Sequence, residues 1–333
     1  DLVRRANGIR RIQAFPAATN VLSLSPDGTR AVVLLLDAPP IDYETATSES
    51  LPVSVVDVRT GAVIQTLDQR LQWLSFEDEV AISRDGKLVA IDNGADIRVW
   101  QVDDGKLIAQ LPPEAGSGER MQFSPDASLL AVIGGEKEAV QLWSLRDGSL
   151  VHTLGANAQS GDYYDIAFAP DGQLIALGDS DAITIWRVAD GTLQRTMKSK
   201  IWIAYLTPSL AFSPDGNLLV VGGWAYDEPT VAEVWRVGDG TLLHTLRDDQ
   251  SDTAESSRDS VVAFSADGAR LMTTTRRTTG DGYTHMALIW NVQDGRLIRR
   301  IDSVPGVAGL RYAPNEAEFL VSRGPDIFAL PAD

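Results

Sequence analysis

The sequence predicts an all-β fold: a seven-bladed β-propeller of four-stranded antiparallel blades, closed by an N-terminal strand that completes blade 7. Three periodic features lead there. One tight turn recurs seven times, a second glycine turn falls between its copies, and a tryptophan keeps a fixed place between the two.

The first turn reads Ser25-Pro26-Asp27-Gly28, Ser83-Arg84-Asp85-Gly86, Ser124-Pro125-Asp126-Ala127, Ala169-Pro170-Asp171-Gly172, Ser213-Pro214-Asp215-Gly216, Ser265-Ala266-Asp267-Gly268 and Ala313-Pro314-Asn315-Glu316. Proline presets φ for the first central position of a type I turn, Asp or Asn suits the second, and glycine takes the left-handed residue that rejoins the next strand. The second turn is marked by Thr60-Gly61, Asp104-Gly105, Asp147-Gly148, Asp190-Gly191, Asp239-Gly240 and Asp294-Gly295. Two hairpins per repeat make a meander of four strands, a to d, and a period of roughly 40 to 60 residues is that of a propeller blade.

Strand a alternates large and small residues, as in Val80-Ala81-Ile82-Ser83 and Ile166-Ala167-Phe168-Ala169. Strand b is an unbroken apolar run such as Leu129-Leu130-Ala131-Val132-Ile133, which suits a strand covered on both faces by neighbouring blades. Strand c carries Trp100, Trp143, Trp186, Trp235 or Trp290, with Val56 expected at that place in the first repeat and Phe328 in the last.

These residues resemble the WD-repeat propeller family in a divergent, bacterial style, and the resemblance covers essentially the whole chain. The repeats depart from the family in two ways. The residue after tryptophan is Gln101, Ser144, Arg187, Arg236 or Asn291, never Asp, and the Gly-His pair before strand a is missing. The departure implies that the family's buried His-Asp network is absent and that blade cohesion rests mainly on apolar packing. The resemblance also implies that a-to-b and c-to-d hairpins open on one face, with b-to-c loops and blade connections on the other.

The blades are expected near 20–67, 78–111, 119–154, 164–197, 208–246, 260–301 and 304–333, within a single domain of 1–333. Blade 7 supplies only three strands, near Leu310 to Tyr312, Glu318 to Ser322 and Ile327 to Leu330. The chain starts with Asn7-Gly8 and an apolar stretch from Ile9 to Phe15, a turn and outer strand without a repeat of their own. Residues 1–15 are therefore expected to supply the missing strand.

Lys plus Arg number 29 against 46 Asp plus Glu, a net charge of −17, so a nucleic-acid backbone or an anionic membrane meets net repulsion. Cysteine is absent, which excludes disulfides and thiolate chemistry. No apolar run approaches a membrane span. The chain begins at Asp1 rather than methionine, which points to a processed form. By resemblance to exported bacterial propellers an extracytoplasmic or cell-surface location is expected, with the cytoplasm left open.

No reaction constellation is visible. His152 and His244 occupy the same place in their outer strands, and His285 has no recognisable nucleophile beside it. There is no metal-binding cluster, phosphate-cradling loop or serine elbow, so no metal, no cofactor and no enzymatic activity are expected. The acidic run from Asp248 to Glu255 reads as a solvated loop.

Irregularity concentrates on the b-to-c face. The b-to-c insertions are expected at Asp37 to Leu51, Gly223 to Thr230 and Thr275 to Thr284. The blade connections are expected at Asp68 to Glu79, Gly155 to Asp165, Lys198 to Thr207 and Arg247 to Asp259. These segments hold Trp73, Trp202 and Trp224 with Tyr43, Phe76, Tyr163, Tyr164, Tyr205, Tyr226 and Tyr283. The candidate binding set is Trp202, Tyr205, Trp224, Tyr226, Asp227 and Glu228, with Tyr43, Trp73 and Phe76; capping of the blade ends is the competing reading for these aromatics. The expected function is a non-catalytic protein–protein interaction scaffold. A glycan- or small-ligand-binding sensor is the alternative, and an enzyme comes third.

Overall fold

The structure, a computed structural model, describes residues 10–14, 18–35, 50–72, 80–115, 120–134, 139–155, 163–180, 182–201, 210–223, 230–248, 261–279, 282–304, 309–313, 318–323 and 326–331. Their strands form seven four-stranded antiparallel sheets. Six are meanders in chain order. In the third, Arg120–Phe123, Leu129–Gly134, Ala139–Ser144 and Leu150–Leu154 pair in succession. The seventh takes Gly309–Ala313, Glu318–Arg323 and Asp326–Pro331 from one end of the chain and Arg10–Ala14 from the other. Arg10 lies opposite Ala329 and Ala14 opposite Asp326, so the edge of Asp326–Pro331 is paired.

A hydroxyl–carboxylate bond builds the recurring turn. Ser25, Ser83, Ser124, Ser213 and Ser265 each donate to the aspartate two residues on, over 2.5 to 2.8 Å. The same hydroxyl accepts the backbone N–H five residues on, as from Leu129 to Ser124 at 3.0 Å. These serine hydroxyls, with backbone donors, hold the carboxyls of Asp126, Asp215 and Asp267 below the usual range. The third turn is the exception among the described ones, because Ala127 sits at φ 55° where Gly28, Gly86, Gly172, Gly216 and Gly268 stand in the others.

Burial is shared between neighbours because each sheet is apolar on both faces. Leu34, Val55 and Leu67 of the first sheet pack with Ile82, Ile91 and Trp100 of the second. Five further clusters join the next five pairs in order. The seventh packs Val21, Val33 and Val56 of the first sheet against Leu320, Ile327 and Ala329 of the last. Inner strands adjoin in the same order, with Gly309–Ala313 beside Ala18–Leu24.

The repeat tryptophans share one register position, opposite Val89, Leu130, Ile175, Leu219 and Leu271, and Val56 holds it opposite Ala31. In the seventh sheet that position is Leu330, opposite Phe319, and not the expected Phe328, which faces Val321. Without a tryptophan to mark the strand, both residues fit the apolar alternation. Three indole N–H groups bond two residues back, Trp143 to Gln141, Trp186 to Thr184 and Trp235 to Glu233, at 2.9, 2.9 and 3.2 Å, and Trp290 donates across to Thr273 at 3.0 Å.

A bulge follows at the same place in the first six sheets. Leu142 faces His152 while Trp143 faces Leu150, which leaves Val151 as the extra residue. The bulge turns pairs such as Leu107-Ile108 and Leu150-Val151 to solvent. The next residue reaches over the neighbouring sheet. A Cβ at Gly295, at φ 68°, would stand 2.9 Å from His244 Cγ, so both the backbone and the space there require glycine. His152 lies over Gly191 in the same way, so both histidines are repeat-structural contacts.

Packing is not the whole of inter-sheet cohesion. Arg120 lies 3.2 Å from Asp165 on the next inner strand, and Asp165 in turn accepts the N–H of Leu210 on the one after, at 2.7 Å. Gln122 accepts the N–H of Phe168 at 2.8 Å. Arg300 pairs with Asp248, which is fully buried and so corrects the reading of that residue as part of a solvated loop. The expected insertion from Thr275 to Thr284 is instead largely ladder: Arg270–Thr279 and Gly282–Asn291 pair along their whole length, with Thr279 opposite Gly282. The expected connection from Asp68 likewise starts later, because Val63–Gln72 continues as a strand paired to Ser50–Pro52.

Two outcomes follow from this framework. Removing residues 1–15 bares the edge of Asp326–Pro331, and the truncated chain is expected to aggregate or lose its cooperative thermal transition; an unchanged transition in a monomer refutes the closing role. Ala127→Gly removes a left-handed strain of about 1–2 kcal/mol and adds unfolded-state entropy worth about 0.5–1 kcal/mol. A net gain of about 0.5 kcal/mol in urea unfolding is expected. A loss instead shows that the Ala127 methyl, which packs on the core, outweighs the strain.

Candidate functional site

All nine candidate binding residues, Trp202, Tyr205, Trp224, Tyr226, Asp227, Glu228, Tyr43, Trp73 and Phe76, lie outside the described residues. What is described is the framework that carries them. Segment 36–49 leaves from Leu35 and returns at Ser50, and 73–79 runs from Gln72 to Val80. Segment 202–209 runs from Ile201 to Leu210, and 224–229 from Gly223 to Thr230.

The roots of the last two segments are joined. Ser199, just past the outer strand Thr192–Lys198 of the fourth sheet, donates its hydroxyl to Glu233 Oε2 at 2.8 Å. Glu233 stands on Thr230–Arg236, the third strand of the fifth sheet. The same hydroxyl accepts the Ile201 N–H at 3.0 Å, and Ile201 is buried in the cluster shared by those two sheets. Ile201 thus belongs to the core.

Glu233 is 1% exposed, flanked on its strand by Val231-Ala232 and Val234-Trp235. Trp235 Nε1 donates to the same oxygen at 3.2 Å. Burial pushes the carboxyl up from its usual range, and the bonds from Ser199, the Lys200 backbone and Trp235 only partly offset this. Sequence reasoning missed this residue, although a lone acid within Val231-Ala232-Glu233-Val234-Trp235 was a visible signal.

Other polar groups at this end serve the backbone. Asp92 accepts the Gly94 N–H and Asp179 the Ala182 N–H, both at 2.7 Å, which closes two short b-to-c turns. Arg98 Nε lies 3.0 Å from Asp96, and Asn93 donates to Asp96 at 2.7 Å. Tyr163, grouped with the loop aromatics from sequence, is buried in the cluster of the third and fourth sheets and packs over Gly155. It is core rather than an exposed anchor, and burial pushes its phenol up. No group of three or more His, Cys, Asp or Glu side chains suited to a metal occurs among the described residues. No described helix is long and apolar enough to cross a membrane.

The arrangement of sheets agrees with a known architecture. The β-propeller domain of Cps50 (Swd1) from Myceliophteria thermophila superposes with a TM-score of 0.69 over 96% of this chain and 98% of that one, at 16% sequence identity. The chain has a β-propeller fold. No protein-family profile matches the sequence, and no curated protein is detectably similar to it. At 16% identity the propeller likeness is one of fold alone.

The Glu233 geometry sets a pH-dependent expectation. A carboxyl raised in the folded state binds its proton more tightly there, so ionising it costs stability. That cost is absent below the unfolded value near 4.5 and grows as pH rises towards the folded value. Glu233→Gln keeps an acceptor for Ser199 and Trp235 without a charge. Its urea midpoint is expected to match the parent near pH 4 and exceed it near pH 7; a variant less stable than the parent at both values contradicts the assignment.

Proposed function

We propose that the chain is a single seven-bladed propeller of WD-repeat type, closed by its N-terminal strand, that acts as a non-catalytic scaffold for a protein partner. Seven shared apolar clusters running from sheet to sheet and back to the first support the closed ring. The pairing of Arg10–Ala14 with Asp326–Pro331 supports the role of the N-terminal strand.

The observation that carries the functional reading is the inequality of the two ends of the strands. The a-to-b and c-to-d turns are short and built alike, while the long segments all leave from the other end. Segments 36–49, 73–79, 112–119, 223–229 and 249–260 hold 4, 3, 2, 2 and 4 acids against one base, Arg258. They also hold Tyr43, Trp73, Phe76, Trp224 and Tyr226. A rigid ring that gathers its variable, acidic and aromatic segments at one end is built to present them. The partner surface complementary to such segments is cationic, with apolar pockets for the aromatic anchors.

The tie between Ser199 and Glu233 favours the fifth sheet as the centre of the site, where segments 202–209 and 224–229 leave from joined roots. Trp202, Tyr205, Trp224 and Tyr226 are the proposed anchors, with Asp227 and Glu228 on the rim. The test is capture of the partner from the native source on the intact chain, followed by titration calorimetry. Trp224→Ala is expected to cost about 2 kcal/mol or more of binding, with Asp215→Asn on the opposite face near parental affinity. Raising salt is expected to slow association. Equal affinities for parent and Trp224→Ala, with both melting alike, place the site elsewhere.

A further inference from the structure

We propose that the opposite face, formed by the tight turns, carries a second binding site around Arg84 that takes a short peptide segment with an acidic residue next to a basic one. A cavity of about 390 Å³ opens there between the turns of the second, third and fourth sheets. Arg84, Pro125, Asp126, Pro170, Asp171 and Val188 line it.

Arg84 stands where Pro26, Pro125, Pro170 and Pro214 stand in other repeats. The turn does not need it. Gly86 donates its N–H to the Ser83 carbonyl at 2.9 Å, as Gly216 does to Ser213 at 2.8 Å, and Ser83 makes its usual bond to Asp85. Proline would preset the same backbone, so the arginine gives up a small local advantage. Its exposed guanidinium has no hydrogen-bond or ion-pair partner among the described residues. Three other cations on this face are engaged: Lys87 lies 3.6 Å from Asp85, Arg30 donates to the Gly86 carbonyl at 2.8 Å, and Arg187 lies 2.9 Å from Asp190.

The far wall supplies the opposite charge. Asp171 accepts the Gln173 N–H through Oδ1 at 2.9 Å, and its Oδ2 has no partner among the described residues. Asp126 is largely satisfied by the hydroxyls of Ser124 and Ser128. Pro125, Pro170 and Val188 add apolar lining to the same cavity. A simple anion drawn to Arg84 meets two carboxylates, and a simple cation drawn to Asp171 meets a guanidinium. A ligand carrying one of each satisfies both walls, with a carboxylate on Arg84 and a cation on Asp171. The volume, at the small end of ligand sites, fits a few side chains and not a folded surface. Exposure of Arg84, Asp126 and Asp171 at the mouth lets a chain pass through, which favours a peptide over a free amino acid.

Arg84→Pro is the decisive variant because it restores the turn of the other repeats while removing the charge. The intact chain, labelled for NMR, is titrated to about 5 mM with a blocked Gly-Glu-Lys-Gly peptide, with its Gln-Lys analogue, and with free glutamate and lysine. Saturable shifts of the Ser128 and Gly172 amides are expected with the Glu-Lys peptide. Binding should weaken about tenfold for the analogue, for Arg84→Pro and for Asp171→Asn. The melting temperature of Arg84→Pro is expected at or above the parent's. Absence of these shifts, or equal binding by parent and Arg84→Pro, overturns the site; free amino acids binding as well as the peptide overturn its peptide character. None of these outcomes depends on Trp224, so this site and the acidic loop face stand or fall separately.

Discussion

Every sheet of this molecule is apolar on both faces, and that condition governs the rest. Val32, Val33, Leu130, Ala131, Val132, Leu219 and Val220 are all 0% exposed, and consecutive residues among them point to opposite faces. Complete burial of one such Val or Leu is worth about 1.5–3 kcal/mol, so a sheet left without a neighbour forfeits several of these contributions on each side. Each sheet therefore needs two neighbours, and only a ring gives two to all of them. The first and last sheets acquire theirs through Val21, Val33 and Val56 against Leu320, Ile327 and Ala329. Sequence ends that would otherwise be the weak points become one more shared interface.

Apolar packing is strong but not directional, and the polar contacts supply what it lacks. Arg120, Asp165 and the Leu210 N–H link three successive inner strands, and Gln122 with the Phe168 N–H repeats the device. A buried ion pair adds little net stability, because desolvation of both charges offsets most of their attraction. Breaking one is costly, however, so the pair penalises any sliding of one inner strand past the next. Arg300 with Asp248 does the same between the fifth-to-sixth connection and the outer strand of the sixth sheet. The expectation that cohesion rests mainly on packing leaves out these contacts between inner strands.

Features with a local cause were legible in the sequence. The Ser-Pro-Asp-Gly turns are self-contained, since hydroxyl, carboxylate and left-handed glycine lie within four residues. The tryptophans mark strand c because each carries a bulge and, in most sheets, an indole bond within reach. Where those markers stop, the reading slips: Phe328 was preferred to Leu330 because alternation alone cannot distinguish positions two apart. Long-range polar partners were illegible for a related reason. Asp248 and Arg300 are 52 residues apart, and nothing in an acidic run shows which member will be buried. The polar, Thr- and Arg-rich stretch from Thr275 to Thr284 looked like a loop because strand pairing there owes nothing to an apolar face. The candidate aromatics fall in segments whose placement no repeat constrains.

The two ends of the strands differ in how they handle charge, and the proposed function draws on this difference. At the turn end, several charges are paired within their own repeat. Asp239 is drawn down to about 2 by Thr241 and Arg236, and Arg187 with Asp190 repeats the arrangement one sheet earlier. Groups so engaged carry little free field and contribute little to recognition. On the proposed reading, the acid-rich segments that leave from the other end would make the field of this chain of net charge −17 asymmetric. On that reading a cationic partner would be oriented before contact, leaving the aromatic segments to act at short range. Arg84 departs from this pattern: it is a cation on the turn face, without a partner among the described residues, at a turn position that five other repeats fill with proline. Where a repeat protein gives up its own consensus without a structural return, the departing side chain is the place to look for something outside the chain.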